Sequence, residues 1–289
     1  GHGLCLYNNT CICSPGYVGI FCDSEDQRFL FASGDNSFSQ LGDGLFVSQN
    51  YPRQATLLTP KTFHFMSAGD GYGFAVNLKT GVLALGTNSL GQLGDGTDED
   101  RFYPAPVLTN LTVTKILACS THTLAIANNQ LYSFGSNIYG QLGLGDTTTR
   151  YTPTLVESLS NHSIVAVACG ISHSLALTES GLVFAFGDNS YGQIGTGTTT
   201  VTLVPFRVQH ILNTKKIIGI TAAGQFSVAL ADDGSVYSWG RGVALGDGKF
   251  TGRTLPYPVS TLNGKRVKLI SASTTSAYAL LRDGTLYAR

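Results

Sequence analysis

A glycine-rich phrase recurs along the chain, and no other feature restricts its fold so strongly. It reads "SGDNSFSQLGDG" at 33 to 44, "LGTNSLGQLGDG" at 85 to 96, "FGSNIYGQLGLG" at 134 to 145 and "FGDNSYGQIGTG" at 186 to 197. A shortened fifth copy, "WGRGVALGDG", covers 239 to 248. The leading glycines are Gly34, Gly86, Gly135, Gly187 and Gly240, so the spacings are 52, 49, 52 and 53. A fixed period on the order of 50 residues belongs to propellers and solenoids, in which each unit buries its faces against its neighbours.

A second phrase follows each first one: "AGDGYGFAV" (68 to 76), "ACSTHTLAI" (118 to 126), "ACGISHSLAL" (168 to 177), "AAGQFSVAL" (222 to 230) and "ASTTSAYAL" (272 to 280). Thr80-Gly81, Ser180-Gly181, Asp233-Gly234 and Asp283-Gly284 then mark hairpin turns between runs rich in Val, Leu, Tyr and Phe. No ten-residue stretch shows helical periodicity. Each unit is therefore expected to be a small antiparallel sheet. The phrase glycines supply the positive φ and close backbone approach that tight inter-strand turns need. Asn88, Asn137 and Asn189 are expected to bond neighbouring backbone, and Gln92, Gln141 and Gln193 to satisfy buried amides.

These residues carry a resemblance. G-x-N-x-x-G-Q-[LI]-G-x-G, then Pro104, Pro153 or Pro205, then A-C-G-x-x-H-[ST]-x-A-L resembles the repeat of the RCC1-like β-propellers. The resemblance implies an all-β propeller over 28–289, with repeats at about 28–83, 84–131, 132–183, 184–236 and 237–286. Five units are present where the family usually closes with seven blades. "LYAR" at the end and "RFLF" near residue 29 occupy one place in the repeat, so further chain or another subunit is expected beyond Arg289.

The first 23 residues read as something else. Cys5, Cys11, Cys13 and Cys22 form C-x5-C-x-C-x8-C with Gly16 and Gly19 in the last loop, which resembles the C-terminal part of an EGF-like module. The resemblance implies a Cys13–Cys22 disulfide and upstream partners for Cys5 and Cys11, so the chain is expected to begin inside a module. Residues 24–27 read as a linker. The cysteine spacing lacks the C-x2-C pairs that zinc prefers. A segment this small needs disulfides, and disulfides persist in oxidising compartments, so an extracellular location is expected. Sequons at Asn8, Asn110 and Asn161 fit that expectation as N-glycosylation sites. Asn110 and Asn161 each precede a repeat histidine (His122, His173) by twelve residues, which places both on one rim of the propeller.

Several tempting residues read as architecture. His122 and His173 share a repeat position with Tyr72, Phe226 and Ser276, and a place that accepts Phe is packing rather than catalysis. Cys119 precedes its histidine by three residues and Cys169 by four, so the two are expected on opposite strand faces, as buried free thiols. "DGYGFAV" (70 to 76) has Asp70 where an RNA-binding aromatic motif has a base. "GDGTDEDR" (94 to 101) lacks calcium-loop spacing and reads as a solvated loop.

With 18 basic and 18 acidic residues the net charge is zero, which disfavours nucleic acid as a partner, and no apolar run is long enough to insert in a membrane. No cofactor, metal site or catalytic set is expected. The family's nuclear exchange factor for a small GTPase works through an inserted loop and basic segments, which the even spacings and zero charge do not accommodate. The module order resembles mastigoneme (flagellar hair) proteins. The expected function is thus a non-enzymatic extracellular glycoprotein with protein partners, homo-oligomeric or filamentous. The alternative is the ligand-recognition propeller of a receptor.

Overall fold

A computed structural model describes residues 31–58, 63–77, 81–242, 245–246 and 251–288, with the backbone of four short strands before them. Those four are β1 (Gly3–Cys5), β2 (Cys11–Cys13), β3 (Tyr17–Val18) and β4 (Ser24–Glu25). They form two antiparallel pairs, with Cys5 opposite Cys11. Asn8, Cys22 and the side chains of Cys5, Cys11 and Cys13 lie outside the described residues, and with them the expected Cys13–Cys22 bridge.

The rest is a succession of antiparallel sheets. β5 (Phe31–Gly34) and β6 (Gln49–Gln54) pair alone. Four complete blades follow, each a four-stranded meander. Blade 1 comprises β7 (Phe65–Ala68), β8 (Tyr72–Asn77), β9 (Gly81–Gly86) and β10 (Arg101–Val107). Blade 2 comprises β11 (Val113–Ala118), β12 (His122–Ala127), β13 (Gln130–Gly135) and β14 (Arg150–Leu155). Blade 3 comprises β15 (Ile164–Cys169), β16 (His173–Thr178), β17 (Val183–Gly187) and β18 (Thr202–Arg207). Blade 4 comprises β19 (Ile217–Ala223), β20 (Phe226–Ala231), β21 (Val236–Gly240) and β22 (Arg253–Pro258). A three-stranded sheet, β23 (Val267–Ser273), β24 (Ser276–Leu281) and β25 (Leu286–Ala288), comes last. β25 pairs with β24 and β5 with β6, so Phe31 and Leu286–Ala288, the described parts of the two segments that share one repeat position, belong to separate sheets.

The core lies between blades. Phe74, Leu93 and Phe134 pack where blades 1 and 2 meet, and Leu124, Ile126 and Phe186 where blades 2 and 3 meet. Leu175, Ile194 and Trp239 fill the next contact. The second strands β8, β12, β16 and β20 are buried at every residue, as strands covered on both faces must be. First strands adjoin one another and line a central cavity of about 780 Å³, whose walls include Ala68, Leu117, Val167, Ile220 and Ala272.

Strand direction alternates within each meander, which sorts the connections into two rims. Turns from first to second strand, and loops from third to fourth, emerge at one rim. Hairpins from second to third strand, and crossings to the next blade, emerge at the other. The repeated phrase forms the third-to-fourth loop, so the sequence repeat runs across two blades rather than coinciding with one.

Candidate functional site

The repeated loop is organised by its own side chains. In blade 2, Asn137 is fully buried; its Oδ1 accepts the Leu142 N–H at 2.9 Å, and its Nδ2 donates to the Asp146 carbonyl at 2.9 Å. Gln141 Oε1 accepts the Tyr139 N–H at 2.9 Å. Blades 1 and 3 repeat the pattern through Asn88 and Gln92, and through Asn189 and Gln193. The last glycine of each phrase reaches the next blade: the N–H groups of Gly96, Gly145 and Gly197 donate to the carbonyls of Tyr151, Leu203 and Thr254. Each loop thus covers the outer strand of its neighbour. In "GDGTDEDR", Asp98 and Glu99 are exposed as expected, but Asp95 accepts from Asn88 and Arg101, and Asp100 from the Asn88 N–H. Half of that acidic loop is therefore scaffold.

A second set of bonds runs from blade to blade through the interior. His122 and His173 are fully buried, and their Nε2 atoms lie 2.9 Å from Ser174 Oγ and Ser227 Oγ of the following blade. Each serine hydroxyl donates in turn to a phrase carbonyl, Ser174 to Gln141 at 2.7 Å and Ser227 to Gln193 at 2.8 Å. A hydroxyl has one proton, so both imidazoles must donate from Nε2 and keep a bare lone pair on Nδ1. Both Nδ1 atoms are buried without a partner. Burial pushes His122 down to about 3, with repulsion from His173 adding to it. It pushes His173 down to about 4, against the opposing pull of Asp188. In blade 1, Tyr72 takes the place of histidine and donates to the His122 carbonyl at 2.6 Å; its burial raises the phenol well above its ordinary value.

One expectation is overturned. Cys119 and Cys169 are not free thiols; they form a disulfide between blades 2 and 3, with Cα atoms 6.0 Å apart. The register itself is as expected, since the Cys119 N–H bonds to the His122 carbonyl as the Gly170 N–H bonds to that of His173. Cys119 therefore stands one place beyond Cys169. However, β11 ends at Ala118, and face alternation does not extend past a strand end. Both cysteines sit at the cavity mouth, where neighbouring first strands converge.

The two rims differ in chemistry. Asn110 and Asn161 are exposed in equivalent crossings, three residues before β11 and β15, on one rim. The opposite rim carries a partly exposed large side chain at one shared position of four repeated loops, Phe38 (39%), Leu90 (36%), Tyr139 (45%) and Tyr191 (43%), with Ile138 (62%) exposed beside Tyr139 and Leu45, Phe46 and Val47 exposed in the first loop. Ile171 is exposed beside them, in a first-to-second turn. Nothing in their spacing was read in advance as a surface, although "NSF", "NSL", "NIY" and "NSY" place them at one position of the phrase.

Comparison with known proteins agrees with this architecture. The family model described as the regulator of chromosome condensation (RCC1) repeat matches residues 81–126, 128–177, 180–230 and 233–280. The human E3 ubiquitin-protein ligase HERC2 is 31% identical over 271 residues; the match covers 90% of this chain but only 6% of HERC2. Among solved structures, human WBSCR16 aligns with a TM-score of 0.80 at 21% identity, covering 90% of this chain and 74% of that one. Prp20p from Saccharomyces cerevisiae, whose structure was described with its binding to Gsp1p and histones, aligns with a TM-score of 0.56 at 20% identity, covering 91% of this chain and 81% of its own. With more than half of its residues matched by that family model and its blades built on the same loop, this chain belongs to the RCC1 repeat family.

Proposed function

We propose that this propeller is a non-enzymatic protein-interaction module, and that it serves as a structural subunit of an extracellular filament or surface assembly such as a flagellar hair. The observation that carries the reading is the rim on which Phe38, Leu90, Tyr139 and Tyr191 repeat. Aromatic side chains offer large contact area at low entropic cost, and rigid blades hold them in fixed relation. The exposed sequon asparagines lie on the opposite rim, where glycans would leave the aromatic rim clear. A disulfide between blades suits an oxidising compartment, as does the EGF-like cysteine pattern. Prp20p, which has this fold, was described binding other proteins.

Negative-stain electron microscopy of the natively purified, full-length protein tests the reading. Regular filaments that disperse in a Tyr139→Ser, Tyr191→Ser variant are expected. Dispersed particles in the unaltered protein would reject the filament, and filaments unchanged by the variant would reject the aromatic rim as their contact.

A further inference from the structure

We propose that Cys119, Cys169 and His122 form a redox-gated zinc site at the mouth of the central cavity, closed while the disulfide stands and opened by its reduction. The ligand atoms of the three residues already lie within 4.8 Å of one another. Tetrahedral zinc with bonds of about 2.3 Å to sulfur and 2.0 Å to nitrogen needs ligand separations of roughly 3.5 to 3.8 Å. The required rearrangement is thus a parting of two sulfurs within an existing cluster. His122 brings the second observation: its Nδ1 is fully buried and has no hydrogen-bond partner. Its tautomer is fixed by Ser174, whose only proton is committed to Gln141, so Nδ1 presents a lone pair and no proton. A hydrogen bond from the distal ring nitrogen is the support that metal-ligating histidines require. His173 has the same bare Nδ1, but the residue at the place of Cys119 in its blade is Gly170. Among the described residues, only the contact between blades 2 and 3 therefore unites nitrogen with sulfur. The cavity of about 780 Å³ that both cysteines line is wide enough to give an ion access and to admit a water as fourth ligand.

The chemistry balances as two steps. A dithiol gives two electrons and two protons to the disulfide, leaving as its own cyclic disulfide and generating two cysteine thiols. Zinc then displaces both thiol protons and is bound by two thiolates, the neutral imidazole and one water.

The test uses the full chain and cobalt(II) as a spectroscopic probe, after reduction with a phosphine, which takes oxygen from water and is itself oxidised. Reduced protein is expected to bind one more equivalent than a C119S/C169S variant, with a thiolate-to-cobalt charge-transfer band and tetrahedral d–d bands; zinc should displace it. The first four cysteines are present in both proteins and cancel in the difference. Oxidised protein should lack the extra equivalent. S174A should weaken binding roughly 10- to 100-fold. H122F, which copies the residue of blade 4 at that position, should abolish the nitrogen contribution while near-ultraviolet circular dichroism reports an intact fold. Equal binding by reduced protein and the double-serine variant would overturn the proposal. If reduction itself erases the near-ultraviolet signal, zinc should restore it, and failure to do so would count equally against the site.

Discussion

The interior of this propeller is held by a small number of polar residues whose partners lie in the next blade. Ser174 is the clearest case, because it accepts from His122 and donates to Gln141 with no exposed atom. Ser174→Ala leaves both partners buried and unpaired, and should lower stability by about 1 to 3 kcal/mol, read as a reduced urea midpoint. The histidines add a pH dependence. Their folded values, about 3 for His122 and about 4 for His173, lie below the ordinary imidazole value, so the unfolded chain binds more protons in acid. The contribution is complete above about pH 6.5 and is lost on acidification by roughly 1.4 kcal/mol per pH unit for each imidazole. An H122F/H173F variant should flatten the acid limb of a stability profile; an unchanged limb would place the acid sensitivity elsewhere.

At the scale of the element, the repeated loop depends on glycines that admit no side chain. Gly187 ends β17 at φ +107°, and a Cβ there would lie 2.6 Å from the Ser172 carbonyl oxygen. Gly187→Ala should cost more than about 2 kcal/mol, measured as a fall in thermal midpoint, because strained backbone and overlap act together. This loop was legible from sequence because four of its five copies keep the same polar residues: Asn137, Gln141 and their counterparts make the same bonds in each of the four, whereas the shortened fifth copy has neither residue. The hairpin of blade 2 was less legible. Asn128 and Asn129 both take positive φ there, without the glycine that marks the other hairpins. The disulfide was not legible, since a rule for strand faces was carried past the end of β11. The aromatic rim was hidden for another reason: a repeated large side chain suggests core, and only the structure shows Tyr139 and Tyr191 half exposed.

For the whole molecule, adjacency of blades is maintained by interleaved apolar side chains, the N–H bonds of Gly96, Gly145 and Gly197 to the next blade, the histidine-to-serine bonds and the Cys119–Cys169 bridge. The bridge closes a loop with a sequence separation of 50 residues. By chain entropy it contributes about 4 kcal/mol, so C119S/C169S should unfold at clearly lower denaturant while its secondary structure is retained. The contacts between successive blades are consumed in packing, and the repeated loops of one rim present large side chains to a partner. Hydrogen exchange compared between native assemblies and their dissociated subunits tests this division most directly. The account predicts added protection at residues 36–41, 88–93, 137–141 and 189–193, the loops of the aromatic rim, with the crossings at 108–112 and 160–163 unchanged. Protection confined to those crossings would contradict it.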